Sequence, residues 1–127
     1  MKKKIIIMGA TSGIGLEVAR LFHRQGHTVA IAGRRLENLK QISAELGNCL
    51  YAQIDVTDTQ APLHLQKLIE RLGGMDIYLH VSGIGKQNRQ LDSAIELSTV
   101  ETNAMGFTRL IDHVWHYFAE KGHGHIA

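Results

Sequence analysis

The chain has 127 residues, of which 44% are hydrophobic and one is proline, so disorder is excluded and a single domain over 1–127 is expected. Fourteen basic and twelve acidic residues give a net charge of +2, which is too balanced to indicate nucleic-acid binding. One cysteine, Cys49, cannot form an internal disulfide, and no apolar run reaches the ~20 residues of a membrane span. We therefore expect a cytoplasmic protein without membrane or nucleic-acid partners.

Strand and helix patterns alternate along the chain. Short apolar runs predict strands at 5–8, 28–32, 49–54 and 75–81. Apolar residues at helical spacing predict three intervening helices, with core faces formed by Ile14, Val18, Leu21 and Phe22, then Leu36, Leu39, Ile42 and Leu46, then Ala61, Leu65, Leu68, Ile69 and Leu72. Glycines follow four of the helical patterns, where a left-handed residue is expected: Gly26, Gly47, Gly73 and Gly122.

A longer helix is predicted from Leu97 onward, with Ser98 as its N-cap and Glu101 closing a capping box. Its predicted core stripe consists of Phe107, Ile111, Val114 and Phe118. Residues 123–127 begin a fifth strand. This order predicts an α/β fold, a doubly wound parallel sheet of Rossmann-like type with helices on both faces. We expect the domain to be incomplete, truncated within the fifth strand.

A glycine-rich turn joins the first strand to the first helix. It reads Gly-x3-Gly-x-Gly and contains the candidate cofactor-binding residues Gly9, Thr11, Ser12, Gly13, Ile14 and Gly15. Glycines let backbone N–H groups approach a phosphate, and the helix N-terminus adds partial positive charge. Gly15 would also let helix and strand pack closely. In this strand–turn–helix context the pattern predicts dinucleotide binding, the alternative being a tight turn without a ligand.

The end of the second strand predicts which dinucleotide binds. An acidic residue there would bind the free ribose 2′-hydroxyl of NAD, whereas this chain has Arg34 and Arg35. Guanidinium groups suit a 2′-phosphate by charge and by forked geometry, so NADP is predicted over NAD. The alternative is that both arginines simply begin the second helix in solvent.

The third strand ends in a polar turn, Asp55-Val56-Thr57-Asp58. Asp55 could accept a hydrogen bond from an adenine amino group, and Val56 could pack on the adenine ring. Thr57 or Asp58 could also cap the third helix, with Gln60 completing the capping box. The two interpretations use different residues and are compatible.

These motifs together resemble the short-chain dehydrogenase/reductase family. GATSGIG looks like its cofactor loop, GRR is similar to its NADP-preferring members, and DVTD is similar to its adenine-binding turn. ETNAMG looks like the helix that carries its structural and catalytic asparagine, which would be Asn103. MDIYLHVSGIG takes the place of the segment ending in Asn-Asn-Ala-Gly, which here reads His80-Val81-Ser82-Gly83, and the resemblance adds Val81, Ser82 and Gly83 to the cofactor-binding candidates.

The resemblance implies hydride transfer between NADPH and a small-molecule carbonyl or alcohol, with Asn103 ordering a proton-relay water. The family's catalytic serine and Tyr-x-x-x-Lys follow its fifth strand, so we expect no dehydrogenase turnover from these 127 residues alone. The alternatives are a non-catalytic NAD(P)-binding sensor or regulatory module and an inactive remnant of a longer enzyme.

Tyr117 and Lys121 form a Tyr-x-x-x-Lys pair of their own. A crossover helix runs back from the ligand-binding edge of a parallel sheet, so its C-terminal end lies at the opposite edge. Tyr117 is fourteen residues beyond Asn103, which at ~1.5 Å per residue is about 21 Å along the helix axis. We therefore predict a structural contact near the helix end and no catalytic role.

Two further expectations concern metals and assembly. Histidines are three apart at His113 and His116 and alternate at His123 and His125, but neither pair has a third ligand at suitable spacing, so no metal site is predicted. Trp115 lies off the predicted core stripe of the long helix. In the family that this chain resembles, the long helix packs against the same helix of a second subunit in a dimer. We therefore expect a homo-oligomer.

Overall fold

One parallel sheet of five strands organises the chain. The computed structural model describes residues 2–10, 13–81 and 93–127, with side chains of the last range described from Met105 onward. The strands are β1 (Lys4–Met8), β2 (Thr28–Gly33), β3 (Leu50–Gln53), β4 (Ile77–His80) and β5 (His125–Ile126), in the order β3-β2-β1-β4-β5. The helices are α1 (Gly13–Arg24), α2 (Leu36–Glu45), α3 (Ala61–Leu72) and α4 (Ser93–Lys121). The predicted doubly wound α/β fold is confirmed.

Both faces of the sheet are buried, and β1 shows this most clearly. Ile5 and Ile7 point into the cluster formed with α1 and α2, whereas Ile6 and Met8 point into the cluster formed with α3 and α4. All four side chains are 0–1% exposed. Alternate residues of a strand face opposite sides, so a central strand covered by helices on both sides must be apolar throughout.

Helix α1 packs differently from the prediction. Ile14 and Leu21 were expected in the core but are 72% and 45% exposed, while Gly15 and Ala19 are buried against the sheet. A methyl group on Gly15 would lie only 2.6 Å from the Gly9 carbonyl oxygen. Small residues therefore occupy the points where α1 comes closest to the strand, while the predicted Val18 and Phe22 are partly buried against the same cluster.

Helix α4 also corrects two predictions. It begins at Ser93, so Ser98 is not its N-cap; the residues before Ser98 include alanine, glutamate and leucine, which favour helix. Phe107 was expected in the core stripe but is 44% exposed, and Leu110, at 0%, takes the core position with Val114 and Phe118. Ile111, Val114 and Phe118 pack in this core as predicted, so the predicted stripe was wrong only at Phe107.

The helix ends follow the sequence well, whereas the start of α3, like that of α4, does not. The four predicted C′ glycines all have left-handed backbone, with φ of 88°, 74°, 84° and 86° at Gly26, Gly47, Gly73 and Gly122. Helix α3, however, begins at Ala61 after Gln60 rather than at a Thr57 or Asp58 cap. Asp58 Oδ1 accepts from the Gln60 amide at 2.9 Å, forming a side-chain turn just before the helix. Among the described helices, none is both long and apolar enough to cross a membrane.

Candidate functional site

The turn after β1 is fastened to its neighbours by backbone hydrogen bonds. The Gly9 amide donates to the Ala32 carbonyl at 2.8 Å, and the Val81 amide donates to the Met8 carbonyl at 2.9 Å. Gly9 has φ +86°, and a methyl group there would collide with the Val81 carbonyl oxygen. Only glycine fits this position, where the ends of β1, β2 and β4 meet.

The start of α1 faces open space. No atom lies within 4 Å of the position that a methyl group on Gly13 would occupy, and Ile14 is largely exposed. The first amide groups of a helix have no partner within the helix, which makes a helix N-terminus suited to a phosphate group. Two predicted residues of this turn, Thr11 and Ser12, lie outside the described residues.

The ends of β2 and β3 share a surface cavity of about 460 Å³, lined by Arg34, Gln53, Asp55, Asp58 and His64. Arg34 and Arg35 are both exposed, and Arg35 is the N-cap residue of α2, without a side-chain capping bond. Gln53 Nε2 donates to the Arg34 carbonyl at 3.2 Å. The cavity thus brings a predicted 2′-phosphate ligand, Arg34, beside a predicted adenine ligand, Asp55.

Asp55 is held in its turn by its own neighbour. Its Oδ1 accepts from the Thr57 amide at 2.9 Å and from the Thr57 hydroxyl at 2.7 Å. These hydrogen bonds, with a smaller contribution from the Arg34 charge, lower the pKa of the Asp55 carboxyl. Ionised and oriented, Asp55 can accept further hydrogen bonds, and Val56 beside it is partly buried.

The end of β4 carries a histidine that replaces an asparagine of the family pattern. His80 Nδ1 and the Tyr78 hydroxyl are 2.9 Å apart, and the His80 ring packs edge-on against Phe107 with centroids 4.8 Å apart. Burial lowers the pKa of His80, which favours the neutral ring. Val81 follows at the bond to Met8, whereas the predicted Ser82 and Gly83 lie outside the described residues.

Asn103, the predicted catalytic asparagine, is part of α4. The structure describes its backbone but not its side chain. Three residues further on, Gly106 packs directly against the Val56 carbonyl. This segment of α4 therefore lies at the same edge of the sheet as the Asp55 turn. The sequence prediction missed this contact, although a lone glycine inside a helical pattern was a signal for close packing. It also missed Gln53 and His64 as cavity residues.

Tyr117 and Lys121 lie at the opposite edge. The Tyr117 hydroxyl accepts from the Met75 amide at 3.0 Å, and Lys121 Nζ donates to the Met75 carbonyl at 2.7 Å and to Asp76 Oδ1 at 3.0 Å. Met75 and Asp76 immediately precede β4, so these contacts are at the amino ends of the strands. The predicted structural role of the pair agrees with these contacts.

The helix histidines have ordinary partners. His113 Nε2 is 2.8 Å from Gln66 Oε1 between α4 and α3, and His116 Nδ1 is 3.6 Å from Asp112 Oδ1. Within the part of the chain that the structure describes, no group of three or more potential metal ligands is present.

Comparison with known proteins decides the family. The sequence profile described as short chain dehydrogenase matches residues 3–127. The chain belongs to this family. It is 32% identical to an uncharacterized oxidoreductase of Mycobacterium tuberculosis, over 99% of this chain and 53% of that protein. It is 34% identical to the NADP-dependent 3-hydroxy acid dehydrogenase YdfG of Shigella flexneri, over 96% of this chain and 51% of that protein.

Solved structures of short-chain dehydrogenases share this fold. The actinorhodin polyketide ketoreductase with NADPH superimposes with a TM-score of 0.83 at 29% identity, covering 98% of this chain and 51% of that one. An alcohol dehydrogenase of Thermococcus sibiricus complexed with 5-hydroxy-NADP gives 0.82 at 25% identity, covering 99% and 57%. The chain thus spans about half the length of the relatives it matches.

Proposed function

We propose that this chain forms the NADP-binding part of an oxidoreductase that transfers hydride between NADPH and a carbonyl or alcohol. The observation that carries the proposal is the arrangement at the carboxyl edge of the sheet. There the N-terminus of α1 and the cavity lined by Arg34 and Asp55 lie at the ends of adjacent strands. Dinucleotides bind at this edge in open parallel sheets.

The residues present fit the dinucleotide. Gly9 and Gly15 bring the backbone close together, and a methyl group on Gly13 would meet no atom within 4 Å. Arg34 and Arg35 would bind the 2′-phosphate, Asp55 and Val56 the adenine, and the Val81 segment, with Ser82 and Gly83, would border the nucleoside. When bound, the nicotinamide supplies the hydride that the family's reaction transfers.

Two named relatives support NADP over NAD. The dehydrogenase YdfG is named as NADP-dependent, and the ketoreductase structure contains NADPH. Arg34 and Arg35 supply the positive charge that a 2′-phosphate requires, and no carboxylate stands at that point of the chain.

Catalysis needs groups beyond those the chain places at this edge. We assign Asn103 to ordering a water in the proton relay. Tyr117 and Lys121, the chain's own Tyr-x-x-x-Lys pair, are engaged at the other end of the sheet. We therefore expect the 127-residue chain to bind NADPH without turnover, and this separation favours a binding module as the second candidate function.

Calorimetric titration of the purified chain with NADPH and with NADH tests the proposal. NADPH should bind about tenfold to a hundredfold more tightly, because charge-assisted hydrogen bonds contribute about 1.5–3 kcal/mol. Arg34→Ala should remove most of this difference by weakening NADPH binding and leaving NADH binding unchanged.

Arg24→Ala is the matched control, since Arg24 is an exposed arginine at the far end of α1. It should bind both nucleotides like the unsubstituted chain. Equal affinities for NADPH and NADH would contradict the NADP assignment alone. Absence of binding of either nucleotide would contradict the nucleotide-binding function.

A further inference from the structure

Helix α4 contains one glycine, and it is buried. Gly106 lies in the interior of the 29-residue helix, where glycine costs about 1 kcal/mol relative to alanine. A glycine retained there has a packing reason when a neighbouring element approaches its Cα closely.

The neighbour is the backbone of the Asp55 turn. A methyl group on Gly106 would overlap the Val56 carbonyl oxygen and lie 2.8 Å from its carbon and 3.4 Å from the Thr57 nitrogen. A rotating side chain could yield to a methyl group, but a carbonyl of the main chain cannot do so without moving the turn. By contrast, a methyl group on Gly13 would meet nothing within 4 Å.

Hydrogen bonds within the Asp55–Val56 turn mean that its residues would be displaced together. Asp55 Oδ1 accepts two hydrogen bonds from Thr57, the Asp58 amide donates to the Asp55 carbonyl at 3.0 Å, and the Ala61 amide donates to the Asp58 carbonyl at 3.0 Å. These bonds link the turn to the start of α3. A displacement at Val56 therefore displaces Asp55 with it.

The next residue of α4, Phe107, contacts the end of β4. Phe107 packs edge-on against the ring of His80, and His80 is hydrogen-bonded to Tyr78, which is 0% exposed. Residues 106 and 107 thus contact the turn after β3 and the end of β4. Asn103 lies three residues earlier, about 4.5 Å along the helix axis.

We propose that Gly106 is a positioning residue that seats α4 on the Asp55–Val56 turn and so fixes the adenine ligands and Asn103 relative to each other. The ligand assigned to the turn rests on the proposed function, whereas the contact itself does not. Nucleotide binding at Asp55 and the placement of Asn103 are then coupled through one backbone contact.

The test compares Gly106→Ala with Met105→Ala in the 127-residue chain. Met105 is the preceding residue and is 57% exposed, so it controls for substitution at this point of the helix. The probe is adenosine 2′,5′-bisphosphate, which carries the adenine and the 2′-phosphate but no nicotinamide. We expect Gly106→Ala to raise its Kd at least about tenfold, because loss of one hydrogen bond to the charged Asp55 corresponds to about that change, and Met105→Ala to leave it within about twofold.

Amide hydrogen exchange gives a readout that needs no nucleotide. Gly106→Ala should speed exchange of the Thr57 amide, which donates to Asp55 Oδ1, and Met105→Ala should not. Helix propensity alone would make the Gly106→Ala protein more stable. An unchanged exchange rate of the Thr57 amide together with an unchanged Kd would overturn the proposal.

A third measurement uses the unsubstituted chain and therefore tests the proposal even if the Gly106→Ala protein does not fold. If turn and helix open together, the Thr57 and Leu110 amides should show protection factors within about tenfold of each other. A Thr57 amide that exchanges more than about a hundredfold faster than Leu110 would overturn the coupling. If the unsubstituted chain binds neither adenosine 2′,5′-bisphosphate nor NADPH, the proposed function fails, and the exchange measurements still decide the role of Gly106.

Discussion

Asp76 connects three elements through both its carboxylate and its backbone. Its Oδ2 accepts from the Lys4 amide at 2.8 Å, and its Oδ1 accepts from Lys121 Nζ at 3.0 Å. Its carbonyl accepts from the His125 amide at 3.0 Å. The Lys4 amide, followed by the Lys121 ammonium group, lowers the pKa of the Asp76 carboxyl. Asp76 therefore joins the starts of β1 and β5 to the end of α4.

Asp76→Asn should lower the free energy of unfolding at pH 7 by about 1–3 kcal/mol, because hydrogen bonds to a charged acceptor are lost. A carboxyl whose folded pKa is lowered stabilises the fold above its unfolded value of about 3.9, and this stabilisation is lost as pH falls through the folded pKa. The difference between the two proteins in urea unfolding should therefore shrink as the pH is lowered below about 4.

Asp112→Asn is the control for this substitution. The Asp112 side chain is 71% exposed, and its Oδ1 lies 3.6 Å from His116 Nδ1. Its stability should change by less than about 0.5 kcal/mol. If Asp76→Asn and Asp112→Asn had equal effects at pH 7, the connecting role of Asp76 would be wrong.

At the scale of elements, the end of α4 positions β5. Gly122, with φ +86°, ends the helix, and Gly124 lies directly against the ring of Phe118, which is 8% exposed. Three residues later, the Ala127 amide donates to the Tyr78 carbonyl at 2.9 Å. The strand can reach β4 only because no side chain separates Gly124 from the Phe118 ring.

Gly124→Ala should destabilise the fold by about 1–3 kcal/mol, because the added methyl group overpacks the Phe118 site. Thermal unfolding measures the loss of stability. Faster exchange of the Ala127 amide would show that the destabilisation affects β5. His123→Ala, a substitution at an exposed neighbouring residue, should leave both quantities unchanged. A Gly124→Ala protein as stable as the unsubstituted chain would show that Phe118 has room to move.

Across the whole molecule, the two edges of the parallel sheet carry different contacts. The amino edge carries a network of hydrogen bonds made by Lys4, Asp76, Tyr117 and Lys121. The glycine turn and the Arg34 cavity lie at the carboxyl edge. Stability at one edge and the proposed nucleotide binding at the other should therefore be separable by substitution.

Tyr117→Phe should lower the free energy of unfolding by about 1–3 kcal/mol, because the Met75 amide loses its acceptor. The rise in Tm on adding NADPH should be unchanged, since this rise depends on the affinity of the other edge. Thermal unfolding with and without NADPH measures both effects.

Tyr51→Phe, on β3, serves as the control and should have a smaller effect on Tm. A Tyr117→Phe protein that keeps its stability but loses its response to NADPH would assign Tyr117 to the nucleotide site instead.

Much of the fold was predictable because its signals are local. Alternating strands and helices follow from short apolar runs and from helical spacing, and the left-handed backbone at Gly26, Gly47, Gly73 and Gly122 follows from glycine's lack of a Cβ. The order of the motifs was sufficient to indicate the family, which the family profile confirms.

The tertiary structure decided which surfaces meet. Gly15 and Ala19 rather than Ile14 and Leu21 face the sheet, and Leu110 rather than Phe107 enters the core, because the distance between helix and sheet selects side chains by size. The contact of Gly106 with Val56 joins residues fifty positions apart. Helical and strand periodicity describe neighbours along the chain, whereas these contacts depend on how closely separate elements approach in space.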